Sequence, residues 1–207
     1  MTEREKSGDW AVMPAGFRIL VVGATDTCRS PLAARILQRE FDDRAPGEFT
    51  VSTAGAQAVA GRPVAVEVLE LAARRNIRLH GCVAKELDEA AINGADLILV
   101  MDRPLRREVV KLVPHVLRIT FTLREFARIV PAIRPEQLAS PAGRWQSLVA
   151  LAPRYRTAPR GDGSDDDVVD PLHRSLRAFD RMGSQIDQAV EAIGAWDVRE
   201  FVPEDRR

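Results

Sequence analysis

The stretch Phe17-Arg18-Ile19-Leu20-Val21-Val22-Gly23-Ala24-Thr25-Asp26-Thr27-Cys28-Arg29-Ser30-Pro31 decides how this chain is read. It opens as an apolar run, Ile19 to Val22, and breaks into a small-residue loop from Gly23 to Cys28. After Arg29-Ser30-Pro31, the residues Leu32, Ala33, Ile36 and Leu37 recur at helical spacing. Strand, tight loop and helix start together gather backbone N–H groups around an anion. Arg29 adds a planar fork of donors matched to phosphate. Ser30 is expected to cap the helix, with Pro31 at its first position, where a missing N–H costs nothing. The plainer alternative is an ordinary strand-to-helix turn.

Outward from this stretch, apolar runs alternate with helical patterns. Phe49-Thr50-Val51-Ser52 reads as a second strand, and Pro63 to Asn76 as a helix. Leu97-Ile98-Leu99-Val100 is a near-continuous apolar run, as expected of a strand buried on both faces. Pro104 to Val113 follows as a helix that Asp102 is placed to cap. Val116 to Phe121 suggests a fourth strand, and Thr122 with Glu125 fits a capping box opening the next helix. Residues 172–195 carry Leu176, Phe179, Met182, Ile186, Val190 and Ile193 on one helical face. Strands alternating with helices argue for a parallel sheet covered on both faces. The expected fold is α/β, three layers with a central four-stranded parallel sheet, plus a helical insertion.

Two known patterns compete for the opening loop. Val-Val-Gly-Ala-Thr is similar to the start of a dinucleotide-binding fingerprint, but Asp26 and Arg29 stand where further glycines are needed. The other is the low-molecular-weight protein-tyrosine-phosphatase family, whose loop reads C-x-G-N-x-C-R-S-P. The chain resembles it through Cys28-Arg29-Ser30-Pro31, through Asp96 to Asp102, and through Asp170-Pro171, in that order. The resemblance runs from Phe17 to Ile193. It implies a two-step displacement through a cysteinyl-phosphate, with Asp170 at the general-acid position and the loop Ala24, Thr25, Asp26, Thr27, Cys28, Arg29 and Ser30 holding phosphate.

The same resemblance puts Gly23 at the position of the nucleophilic Cys, Thr25 at the loop Gly and Asp26 at the loop Asn. Glycine has no side chain to attack with, and losing a covalent nucleophile costs several orders of magnitude in rate. Cys28 directly precedes Arg29 and is a poor substitute. Thr25 replaces a residue that tolerates positive φ. Asp26 either points into the cradle and repels phosphate or points away and holds the loop backbone. Leu172 and His173 stand where the family has aromatic residues that wall a phenyl pocket. The expected function is a catalytically impaired phosphatase-like protein that still binds phosphate or a phosphorylated protein or small molecule. The alternatives are a phosphomonoester hydrolase using Asp26, Cys28 or a water activated by Asp170, and a pure protein-interaction module.

The organisation expected is a flexible leader at 1–16, a phosphatase-like domain at 17–195 and a charged tail at 196–207. The insertion, about 123–158, holds Trp145, Leu148, Val149, Leu151 and Tyr155 at helical spacing. It is either a lid or partner-binding hairpin over the loop face or a set of extra helices on the sheet edge. An acidic loop, about 160–169, is expected to be solvated. Formal net charge is +0, so no bulk field recruits nucleic acid or a membrane surface. Two cysteines, Cys28 and Cys82, give no disulfide framework and suit the reducing cytoplasm. His80, His115 and His173 stand apart, and no metal or cofactor is expected.

Overall fold

The computed structural model describes residues 16–134, 140–157, 162–172 and 174–196. Four strands, β1 (Phe17–Gly23), β2 (Phe49–Gly55), β3 (Leu97–Val100) and β4 (Thr120–Thr122), form one parallel sheet in the order β2-β1-β3-β4. Helices α1 (Arg29–Arg44), α2 (Val66–Ala73), α3 (Glu89–Asn93), α4 (Arg103–Leu112), α5 (Leu123–Ile129), α6 (Pro141–Leu151) and α7 (Leu176–Gly194) surround it. All four residues of β3 are buried, which requires cover on both faces. Strand order reverses between β1 and β3, so their carboxyl ends frame the crevice where open α/β sheets place ligands.

Local signals set several boundaries. Asp102 caps α4, its Oδ1 accepting from Leu105 N at 3.0 Å. Thr122 and Glu125 form the expected capping box at α5. Ser30 does not cap α1: the helix begins at Arg29, two residues earlier than expected, and the Ser30 hydroxyl donates to Asp26 instead. The expected strand at 116–121 is also corrected. Pro114 opens a 3₁₀ turn through Arg118, and β4 begins only at Thr120. Proline's fixed φ and missing N–H suit the start of a helical turn rather than a ladder.

The insertion turns inward. Trp145 of α6 is fully buried among Phe17, Phe41, Phe49, Phe126 and Trp196, with ring centroids 5.0–6.3 Å apart. Phe17 and Phe49 are the first residues of their strands, whereas the loop after Gly23 leaves the other end. The lid over the loop face is therefore not formed: α6 closes the opposite end of the sheet. Trp196 belongs to this cluster, and its indole N–H donates to Ile133 O at 2.7 Å. No described helix is long and apolar enough to cross a membrane.

Candidate functional site

The loop between β1 and α1 is shaped by Asp26. This residue takes φ +53°, the left-handed region that Asn and Asp enter more readily than most residues. Its side chain turns away from the loop interior, which resolves the alternative left open above. Oδ1 accepts from Ser30 Oγ at 2.8 Å, and Oδ2 accepts from Thr53 Oγ1 and Lys85 N, both at 3.0 Å. One carboxylate thus ties the loop to α1, to β2 and to the segment after Gly81. Burial pushes its pKa up, against the lowering effect of these hydrogen bonds. The positive φ falls at Asp26 and not at Thr25, which replaces a residue that tolerates it. Thr25 instead shares a 2.8 Å hydroxyl contact with Thr27.

The end of β2 presses closely on this loop. A Cβ added to Gly55 would stand 2.8 Å from both Ala24 O and Asp26 N, so only glycine fits. Gln57 N and Ala56 N donate to Ala24 O and Gly23 O at 2.7 and 3.1 Å, which fixes the loop's carbonyls outward from its concave side. Among the described residues, no hydrogen bond takes a backbone N–H from Thr25 to Ser30 as its donor. Thr25, Asp26, Cys28, Arg29 and Ser30, with Gly23, Ala24, Asp170 and Leu172, surround a small cavity. It has about 10 Å³ open to the centre of a water molecule, room for about one water.

Arg29 lies 5% exposed at the start of α1, with its fork engaged on both sides. Nη1 donates to Asp102 Oδ2 at 2.8 Å and to Val168 O at 3.2 Å, and Nη2 donates to Asp170 Oδ2 at 2.7 Å. Two carboxylates thus face one guanidinium. Asp170 is the more exposed of the two, at 40% against 18%. The cap residue Asp102 has this second role, which its position before α4 does not announce.

Asp170 is delivered by a strap that the sequence does not reveal. Asp166 pairs with Arg128 at 2.9 Å, and Asp167 pairs with Arg103 at 2.9 Å. Thr122 Oγ1 donates to Asp166 O, and Val168 N to Met101 O. The acidic run is thus not a solvated loop along its whole length: Asp166 is buried, and the strap crosses the carboxyl ends of β3 and β4. His173 lies outside the described residues, whereas Leu172 lines the cavity.

Cys28 is buried, and its Sγ lies 3.6 Å from Met182 Sδ. Burial, reinforced by Asp170, pushes its thiol pKa up to about 12. It stays a thiol at neutral pH and offers no thiolate. Gly23 contributes no side chain. A Cβ there would land on Ser30 Oγ and stand 3.2 Å from Ser30 Cβ.

The comparisons agree with this geometry. Residues 18–130 match the model of the low molecular weight phosphotyrosine protein phosphatase family. A probable low molecular weight protein-tyrosine-phosphatase, EpsP of Ralstonia solanacearum, is 36% identical over 91 residues, covering 44% of this chain and 59% of EpsP. Only part of that relative's length is therefore matched. Among solved structures, a YwlE mutant from Bacillus subtilis superposes with a TM-score of 0.66 at 18% identity, over 89% of this chain and all of the other. Wzb of Vibrio vulnificus in complex with benzylphosphonate gives 0.63 at 23% identity, over 86% and 97%. With the family model matched from β1 through α5 and the fold shared beyond it, the chain belongs to the low molecular weight phosphotyrosine protein phosphatase family.

Proposed function

We propose that this protein is a phosphatase-fold oxyanion receptor without the thiol route to turnover. It takes phosphate, or the phosphoryl group of a protein or small molecule, in the 23–30 loop. The observation that carries this reading is a set of unengaged backbone N–H groups from Thr25 to Ser30 at the start of α1, with Arg29 beside them and only glycine at position 23. Such amides and a helix N-terminus favour an anion, and Arg29 offers a bidentate fork once Asp170 swings away. Gly23 stands where the family's nucleophile is placed, and Cys28, held as a thiol, does not replace it. Asp170 occupies the general-acid position. The benzylphosphonate complex of Vibrio vulnificus Wzb supports a phosphoryl group as the ligand class.

A role as a pure interaction module finds less support. The insertion at 123–158 spends Trp145, Leu148 and Val149 on the core. Two free cysteines support a reducing compartment such as the cytoplasm.

The test is equilibrium titration with phosphate and sulfate beside hydrolysis of a small aryl phosphate. Wild type binds the anion, and Arg29→Lys, which keeps the charge but loses the planar fork, weakens binding about tenfold. Wild type shows no multiple-turnover hydrolysis. Gly23→Cys gains it, because its side chain displaces Ser30 Oγ and fills the empty nucleophile position. Absence of anion binding up to tens of millimolar, or steady hydrolysis by wild type, overturns the reading.

A further inference from the structure

Ser30 carries a hydroxyl that the oxyanion reading does not use. It lies in the first turn of α1, is 1% exposed, and shares the small cavity with Arg29 and Asp170. Its Oγ sits in the space that a side chain on Gly23 would take. A serine oxygen therefore stands beside the vacated nucleophile position. It is also partnered by a base: Ser30 Oγ donates to Asp26 Oδ1 at 2.8 Å. The carboxylate's other oxygen is anchored by Thr53 Oγ1 and Lys85 N, so the acceptor oxygen cannot rotate away without breaking two further bonds.

We propose that Ser30 Oγ is a phosphoryl acceptor, taking the phosphoryl group of an aryl phosphate monoester seated in the 23–30 loop. The proposal rests on the oxyanion reading above. In the step, the Oγ–P bond forms as the bond from phosphorus to the aryl oxygen breaks. The Oγ proton passes to the Asp26 carboxylate. The aryloxide leaves with the electron pair of the broken bond and takes a proton from solvent. The loop N–H groups and Arg29 hold the non-bridging oxygens. Burial raises the proton affinity of Asp26, which suits it to this transfer.

The product differs from a cysteinyl-phosphate in one respect that matters. Its release requires a serine alkoxide to leave, and an alkoxide is a far poorer leaving group than a thiolate. The phosphoserine therefore accumulates, and the protein captures one phosphoryl group per chain without turning over. This accounts for a cradle that keeps its anion-binding parts alongside a missing thiol.

The test incubates the full chain with p-nitrophenyl phosphate and follows nitrophenol release and intact mass. Wild type gives a burst equal to the protein concentration and gains one phosphoryl group, mapped to Ser30 by peptide mass spectrometry and stable to hydroxylamine. Ser30→Ala loses the burst and the label. Asp26→Asn, which keeps a residue tolerant of the left-handed backbone, slows the burst about 100-fold with the label still on Ser30. A hydroxylamine-labile label on Asp26, a label on Cys28, or no label in a protein that binds phosphate overturns the Ser30 assignment and leaves the oxyanion reading standing. Failure of wild type to bind phosphate at all overturns both.

Discussion

Asp26 concentrates more consequences than any other side chain in the loop. It holds a left-handed backbone, accepts three hydrogen bonds and does so almost wholly out of solvent. Asp26→Ala forces alanine into the left-handed region and orphans Ser30, Thr53 and Lys85 N. The expected cost is about 2–4 kcal/mol in denaturant unfolding. The titration has a definite sign. The folded-state pKa lies above the unfolded one, so between the two values the folded chain keeps a proton that the unfolded chain has released. The contribution of Asp26 to stability is therefore greatest below about pH 3.9. It falls as pH rises through the raised value. The unfolding free energy of wild type minus that of Asp26→Asn, followed from acid to neutral pH, should decline and then level. A difference that rises with pH would mean the anion is the favoured buried form. Sequence alone left the direction of this side chain open, since both readings satisfy the residue type. Its partners Thr53 and Lys85 lie 27 and 59 residues away, and local spacing does not bring them to it.

At the scale of elements, what was legible followed from range. Caps that act within three residues, Asp102 on Leu105 and Thr122 with Glu125, could be read directly. So could the apolar run of β3 and the face of α7 from Phe179 to Ile193, because period and burial coincide there; Leu176, read onto the same face, is 71% exposed. The strap at 164–170 could not, because Arg103–Asp167 and Arg128–Asp166 join residues 64 and 38 positions apart. Composition alone makes that acidic run look solvated. The strap sets the state of the cradle by holding Asp170 on Arg29. Asp170→Asn removes one of the two carboxylates facing the guanidinium and, under the proposed function, loosens the competitor of the oxyanion. Sulfate affinity should rise roughly 3- to 10-fold, the worth of a partly exposed ion pair. The gain should shrink with added sodium chloride, as screening requires. Unchanged or weaker sulfate binding would show that Asp170 does not compete for the fork.

Across the whole molecule, the aromatic cluster and the 23–30 loop sit at opposite ends of one sheet. β1 runs seven residues from Phe17 to Gly23, about 20 Å of extended chain. At one end lies the cradle. At the other, Trp145 fills the space between strand starts, α1 and Trp196 just past α7, where the fold closes on its insertion. The Trp145 indole N–H is buried with no hydrogen-bond partner among the described residues, whereas Trp196 has one in Ile133 O. Ring volume rather than polarity is then what position 145 contributes. Trp145→Ala should cost about 3–5 kcal/mol, and Trp145→Phe, which keeps an aromatic ring and removes the orphaned donor, distinctly less. A double-mutant cycle separates the two ends. Trp145→Ala with Trp196→Ala, whose rings lie 5.8 Å apart, should couple by about 0.5–3 kcal/mol. Trp145→Ala with Asp170→Asn should be additive within about 0.5 kcal/mol, and sulfate affinity should be the same with and without Trp145→Ala under conditions where both are folded. Coupling between Trp145 and Asp170 as large as that between the two indoles would mean that the insertion reaches the cradle through the sheet.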